Sequence, residues 1–341
     1  MYTSPILSAQ ATALVPQRID QLPVSSVPST LQRDDLADFI KKDILHYFMK
    51  QTVKNNEAQS IVTSVVATDL DTNAPIIEHN QDTPHFAASI NKIPVTLLLL
   101  EDIRNHKLDM NQTITWQPSD RREGNGTYDQ ANVPTTAPLK DLMYDMLNRS
   151  GNTAVRVVVT DVLNGPAAVN KRLAAKPQLT HTRLQIVDEN RFYLGTTTAK
   201  EALWSLNQLI SSTDEATAYI KNALASNMYT AYGTRSQLAG NEFISLVNKV
   251  GIDDDASGNS RHDVGIMYNA KTKKTYAYAY LLTAPADGEA ATAQATQSLQ
   301  DMGRYLLRSL GDSQAQQLPQ TKSKASGGPQ SNPLISPRTP Y

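Results

Sequence analysis

The strand-forming stretches of this chain lie at its two ends, with a block of helical patterns between them. Ile61 to Leu70 is β-branched and apolar, Asp71-Thr-Asn-Ala-Pro75 makes a turn, and Ile76-Ile77 resumes the strand pattern, which predicts a hairpin. Far downstream, Phe243 to Gly251, His262 to Asn269 and Tyr276 to Leu282 read as three successive strands, turned at Asp253–Ser260 and Ala270–Lys274. A lone hairpin is hardly stable in water, so the early pair must join the late three in one antiparallel sheet. That closure sets the intervening helices aside as a second lobe. The expected class is α/β of the α+β type: a five-stranded antiparallel sheet flanked by helices, plus an all-helical lobe.

Residues 1–31 are rich in Pro, Ser, Thr and Gln and read as an extended leader or linker. Residues 312–341 turn to Gln, Pro, Ser and Lys and predict a disordered tail. The folded part is expected over 32–311, with a sheet lobe from about 32–84 and 241–311 and a helical lobe from about 85–240. A helix carrying Leu36, Phe39, Ile40, Ile44, Leu45, Phe48 and Met49 opens it, and Glu289 to Leu310 closes it. Inside the helical lobe, helices are expected at Leu139–Leu147, Thr153–Leu163, Ala167–Ala175, Thr198–Ser211 and Asp214–Ser226. The long polar stretch from Asn105 to Pro138 reads as a functional loop or a cover to a cleft.

A net charge of −1 and 6% aromatic residues offer no basic stripe for nucleic acid, and no apolar run is long enough to span a membrane. Cysteine is absent, which excludes disulfides and cysteine-ligated zinc. His46, His79, His85, His106, His181 and His262 are scattered without ligand spacing, and no phosphate loop or dinucleotide fingerprint occurs, so no metal or cofactor is expected. The acidic run Asp253-Asp-Asp255 lacks the remaining spaced ligands of a calcium loop and reads as a solvated hairpin tip. The stretch Pro5 to Val15 leans apolar but has no basic region before it, so no signal peptide is assigned.

The chemistry starts at Ser89 and Lys92, three residues apart and followed by Val95 and Leu97–Leu100. On a helix the two side chains share a face, and so apolar a helix is buried on most sides. Burial disfavours an ammonium, so this amine can lose its proton and then take one from the serine hydroxyl. Alone, Ser-x-x-Lys is weak, because a serine-rich chain of this length holds roughly one by chance. Pro94 removes the helical bond to the Ile90 carbonyl, so the first turn is irregular or the helix begins later.

Two later segments raise the weight of that pair: Ser150-Gly-Asn152 at a helix junction and Lys249-Val-Gly251 on the first late strand. Together, in this order, the three resemble the Ser-x-x-Lys, Ser-Asp-Asn, Lys-Thr-Gly signature of class A β-lactamases and penicillin-binding proteins. The flanks Phe86-Ala-Ala-Ser-Ile-Asn-Lys-Ile-Pro, Asn148-Arg-Ser-Gly-Asn-Thr-Ala, Gly165-Pro-Ala-Ala-Val and Arg261-His-Asp-Val-Gly are similar too, and the likeness runs from about residue 33 to 311.

The resemblance implies a β-lactamase-like fold and a serine hydrolase, exported or at the cell surface and monomeric, acting on a β-lactam or a peptidoglycan peptide without nucleic acid or cofactor. It implies Ser89 as nucleophile, Lys92 as its base or part of the relay, and Ser150 as a proton carrier to the leaving nitrogen. Asn152 would hold Lys92 or the substrate amide, Lys249 the substrate carboxylate, and the backbone N–H groups of Ser89 and Ile252 the oxyanion. Gly251 would let substrate approach the strand edge. The departures are Val250 where Thr is usual, Gly151 for Asp, and an apparently shortened loop Gln185–Gly195. In that loop Asp188 or Glu189 stands nearest the usual water-activating glutamate. A D,D-peptidase-like enzyme with slow deacylation and an inactive homologue binding cell-wall fragments or a protein partner are the alternatives.

Overall fold

The computed structural model describes residues 46–188, 191–255 and 258–309, all within one unit, Leu45–Tyr341. The leader, the tail, the beginning of the opening helix and Glu189 lie outside the described residues.

Residues 46–57 form α1, followed by the hairpin β1 (Val62–Asp69) and β2 (Ala74–His79). A two-residue strand β3 (His85–Phe86) leads through a 3-10 turn (Ala88–Asn91) into α2 (Lys92–Arg104). Within the long polar stretch, β4 (Thr113–Thr115) pairs with β5 (Thr136–Pro138). The helical lobe continues with α3 (Leu139–Asn148), α4 (Asn152–Val157) extended by a π turn (Val158–Val162), and α5 (Pro166–Ala174). A second hairpin, β6 (Arg183–Ile186) and β7 (Phe192–Thr197), precedes α6 (Ala199–Ile210) and α7 (Glu215–Ala225). Then come β8 (Ile244–Asp255), β9 (Gly258–Asn269), β10 (Thr275–Ala284) and α8 (Glu289–Ser309).

The main sheet runs β2-β1-β10-β9-β8, every pair antiparallel, so the early hairpin joins the late strands as expected. Alternation along the strands divides the core. Val66, Ala277, Ala279 and Leu281 face the helical lobe, while Val65, Ala67, Tyr278, Tyr280 and Leu282 face α1 and α8. Small alanines on the first face leave room for α6 to lie close against β10. At the centre of the helical lobe runs α2, whose Val95 and Leu97–Leu100 are all buried. Each such side chain removed from water contributes roughly 1.5–3 kcal/mol, which fixes the helix that carries Lys92.

Two expectations need correction. Asp253–Ser260 is not a turn: β8 continues to Asp255 and β9 begins at Gly258. The acidic run is therefore no solvated tip. Asp254 ion-pairs with Arg261, its diagonal neighbour two residues along the ladder, and that neutralisation lets half-buried acidic residues stay in the sheet. The segment Gln185–Gly195 is not simply a loop but most of a hairpin, paired through Gln185 with Tyr193 and joined by β7 to β3.

Two buried histidines tie β3 to the main sheet. The Ser64 hydroxyl donates to the Asn80 carbonyl (2.7 Å), so it accepts from His85 Nε2 (2.8 Å), and His85 Nδ1 accepts from Thr283 (2.9 Å). His262 Nε2 donates to the Phe86 carbonyl (2.8 Å), while its Nδ1 accepts the Leu282 N–H (3.2 Å). Each ring is thus satisfied as a neutral imidazole. Burial, helped by the other imidazole, lowers His85 to about 3; burial lowers His262 to about 4. Both folded values lie below the unfolded one, so the unfolded chain takes up protons first as pH falls. Their stabilisation is complete above about pH 6.5 and drains towards pH 4 at roughly 1.4 kcal/mol per pH unit and per histidine. Thermal melting between pH 7 and 4.5 should show the fall, and H85Q/H262Q should flatten it. An unchanged slope in that variant would count against the assignment.

Candidate functional site

Ser89 is delivered by the irregular turn that Pro94 forecast. Ala88 takes a left-handed φ of 44°, the 3-10 turn spans Ala88–Asn91, and the regular helix starts only at Lys92. Asn91 clamps this turn to the second hairpin, its amide donating to the carbonyls of Leu194 and Thr196. On the other side β8, an edge strand of the main sheet, passes close at Gly251. A Cβ there would lie 2.9 Å from Ile90 Cγ1 and 3.2 Å from the Ala87 carbonyl, so only glycine allows strand and turn to touch.

Lys92 is the hub. It is 0% exposed, and its Nζ lies 3.2 Å from Ser89 Oγ, 2.6 Å from the Ser150 carbonyl, 3.3 Å from Ser150 Oγ and 2.7 Å from Asn152 Oδ1. Lys249, also 0% exposed, reaches Ser150 Oγ at 2.9 Å and the Val250 carbonyl at 2.8 Å. One hydroxyl therefore joins two buried amines. Burial brings Lys92 down to about 8, with the charges of Asp129, Asp145 and Asp253 opposing the fall. Lys249 is held well below the ordinary lysine value, first by burial and then by Lys92, against the pull of Asp263. A neutral amine has a lone pair to take the Ser89 proton, and near neutral pH Lys92 is poised to offer it.

Ser150 sits at a left-handed φ of 60° between α3 and α4. Asn152 donates its side-chain amide to the Glu123 carbonyl (2.7 Å), which turns Oδ1 towards Lys92. The start of α4 has no capping side chain of its own. Asp129, from the long polar stretch, accepts the backbone N–H of Thr153 (2.7 Å) and of Asn152 (3.1 Å). A second carboxylate, Asp145 on α3, is buried beneath Gly151 and accepts the Thr127 N–H at 2.7 Å. A Cβ on Gly151 would fall 2.0 Å from Asp145 Oδ2. The room for a side chain at 151 is already filled from α3.

The structure brings Ser89, Lys92, Ser150, Asn152 and Lys249 together, with Gly251 beside the serine turn. Val250, next to Lys249 on the strand, is buried on the opposite sheet face and turns only its carbonyl to this network. Ile252 follows, half-buried. Asp188 is tied to Arg191 at the far end of the second hairpin, five residues beyond Arg183. Among the described residues no group of three or more His, Asp or Glu is placed to hold a metal ion. Sequence reasoning missed Asp129 and Asp145. A signal for the first existed: with glycine at 151, the N–H groups opening α4 needed an acceptor from elsewhere, and the polar stretch was the nearest acidic source.

Comparison with solved structures finds the same fold. The chromosome-encoded beta-lactamase of Vibrio parahaemolyticus is 18% identical with a TM-score of 0.65, covering 78% of this chain and 100% of that one. The beta-lactamase from Sphaerobacter thermophilus is 19% identical (TM-score 0.64; 77% and 96% covered), and the class A beta-lactamase from Mycobacterium abscessus 19% (TM-score 0.61; 77% and 99%). No curated protein matches the chain. The profile of the Beta-lactamase2 family, described as a beta-lactamase enzyme family, matches residues 48–310. With most of its length so matched, the chain belongs to the beta-lactamase enzyme family.

Proposed function

We propose that this protein is a serine hydrolase that opens β-lactams or related amides through an acyl-enzyme on Ser89. The observation that carries the reading is the buried Lys92 amine, 3.2 Å from Ser89 Oγ and 3.3 Å from Ser150 Oγ. Neutral Lys92 takes the Ser89 proton as Oγ attacks the carbonyl carbon. The developing oxyanion is stabilised by the N–H groups of Ser89 and Ile252. Ser150 gives its proton to the leaving nitrogen as the C–N bond breaks, and is reprotonated from the lysine side. Lys249 holds Ser150 polarised and supplies positive charge for the substrate carboxylate. Water then attacks the ester and releases Ser89. The site works in a monomer, outside the cytoplasm; among the described residues no helix is long and apolar enough to cross a membrane.

Incubation with benzylpenicillin should add the mass of one intact penicillin to the peptide containing Ser89, and S89A should abolish the adduct. Absence of both the adduct and hydrolysed penicillin across pH 6–9 would sink the reading and leave an inactive homologue that binds cell-wall fragments or a protein partner. The tie between Asp188 and Arg191 favours a second reading, a D,D-peptidase-like enzyme that acylates alike but deacylates slowly. Release within seconds supports the lactamase, and persistence for hours the peptidase.

A further inference from the structure

One aromatic residue reaches the Ser150 side of the site from a segment that carries none of the three motifs. Between α7 and β8 the chain is pinned at both sides: the Met228 N–H donates to the Asn148 carbonyl (3.2 Å), and Asn227 Nδ2 to the Asn248 carbonyl (3.1 Å). Asn227 Oδ1 in turn accepts the Tyr229 N–H (2.8 Å). These bonds aim Tyr229 at the junction of α3 and α4. Its hydroxyl donates to the Arg149 carbonyl (3.3 Å) and accepts from Asn125 Nδ2 (3.2 Å), and Lys249 Nζ lies 5.9 Å from its ring centroid.

We propose that Tyr229 is a positioning residue for the Ser150–Lys249 half of the site, a role that rests on the acylation reading above. It acts in two ways. The bond to the Arg149 carbonyl fixes the peptide plane that precedes Ser150, the residue held at a φ of 60°. Left-handed backbone at a non-glycine residue is strained and persists only where its surroundings hold it. The ring lies over Lys249 Nζ and helps keep water from that buried amine.

Burial pushes the Tyr229 phenol above its ordinary value, with the charge of Asp129 and the nearby Tyr232 adding to the rise; the bonds to Asn125 and Ser150 oppose it. The phenol therefore stays protonated while the lysines titrate, so it orients hydrogen bonds and does not act as a base. The charged or titratable groups that bear on this corner are Lys92 from α2, Asp145 from α3, Lys249 and Asp253 from β8, Asp263 from β9, Asp129 from the polar stretch, and Tyr232 edge-on at 6.5 Å.

The test compares Y229F, which keeps the ring and loses only the hydroxyl, with Y229A, which loses both. The rate of benzylpenicillin addition to Ser89 is followed by mass across pH 6–9, and the site lysines are titrated by NMR of ε-13C-labelled lysine in substrate-free protein. We expect Y229F to acylate about tenfold more slowly, with the midpoint of its pH–rate profile displaced by half a unit or more. Y229A should also raise the Lys249 midpoint by a unit or more, since water regains the ammonium. A side chain that only props the fold would change the melting temperature without displacing either midpoint. Identical rates, profiles and lysine titrations in wild type and Y229F overturn the proposal. If wild type forms no adduct yet the lysine midpoints move in both variants, the acylation reading fails while the placement of Tyr229 stands.

Discussion

Replacing Lys92 with methionine will slow acylation of Ser89 by about a thousandfold. Methionine fills a similar volume, so the loss is that of the base, and general-base catalysis is worth roughly 10²–10⁴. The variant will also be less stable. The Ser150 carbonyl and Asn152 Oδ1 both accept from Nζ, and each buried acceptor left without a donor costs about 1–3 kcal/mol. Melting curves separate the two effects, because a folded K92M that acylates at the wild-type rate would refute the role given to the amine. In the native protein the same group sets the pH profile. With Lys92 at about 8 and the neutral form reactive, the acylation rate should rise tenfold per pH unit and level off near 8, so that at pH 6 it is about a hundredfold below the plateau. The linkage has the same sign. The folded value lies below the 10.5 of a free lysine, so between about 8 and 10.5 the unfolded chain binds more protons and stability climbs with pH.

The second large effect runs against intuition about motifs. Restoring the usual aspartate, G151D, should damage the protein. A Cβ at 151 falls 2.0 Å from Asp145 Oδ2, and a second carboxylate would be forced against the first in a buried place. Overpacking costs about 1–3 kcal/mol, and an unpaired buried charge adds several more. We expect a loss of about 4 kcal/mol or more in chemical denaturation, with displacement of Ser150 and loss of acylation. Removing the obstacle in D145A/G151D should recover a large part of the stability, a coupling of about 1–3 kcal/mol in a double-mutant cycle. Additive losses in the two single variants and the double would mean that Asp145 does not occupy the place of a side chain at 151.

The contrast between Ser89 and Asp145 shows what the sequence could convey. Ser89, Lys92, Ser150 and Asn152 stand at or beside the ends of apolar helices and Lys249 lies in the middle of a long strand, and periodicity locates such elements to within a few residues. The five strands of the main sheet were legible for the same reason: β1 and β8–β10 are long, apolar and β-branched or aromatic. The small sheets were not. β3 has two residues and β4 three, too few for any alternation to show. In β6 the polar Arg183 and Gln185 pair with Thr196 and Tyr193, and that choice of partner is decided by tertiary packing. Asp129, Asp145 and Tyr229 escaped notice because their meaning lies in what they touch. Asp129 caps a helix 23 residues away, and Tyr229 reaches a carbonyl 80 residues back. No local pattern encodes such partners.

The placement of β1 has a consequence for how the molecule is made. One of its sheet neighbours, β2, is adjacent in sequence, while the other, β10, pairs Val62 with Thr283. At a translation rate of 5–20 residues per second, the nascent hairpin waits on the order of ten to forty seconds before that partner is synthesised. Throughout this interval β1 presents an unpaired, β-branched edge, the kind of template on which neighbouring chains assemble. Folding yield should therefore be governed by whatever covers that edge on the ribosome, and the lobe bearing the serine completes its seat only when nearly the whole polypeptide is in hand.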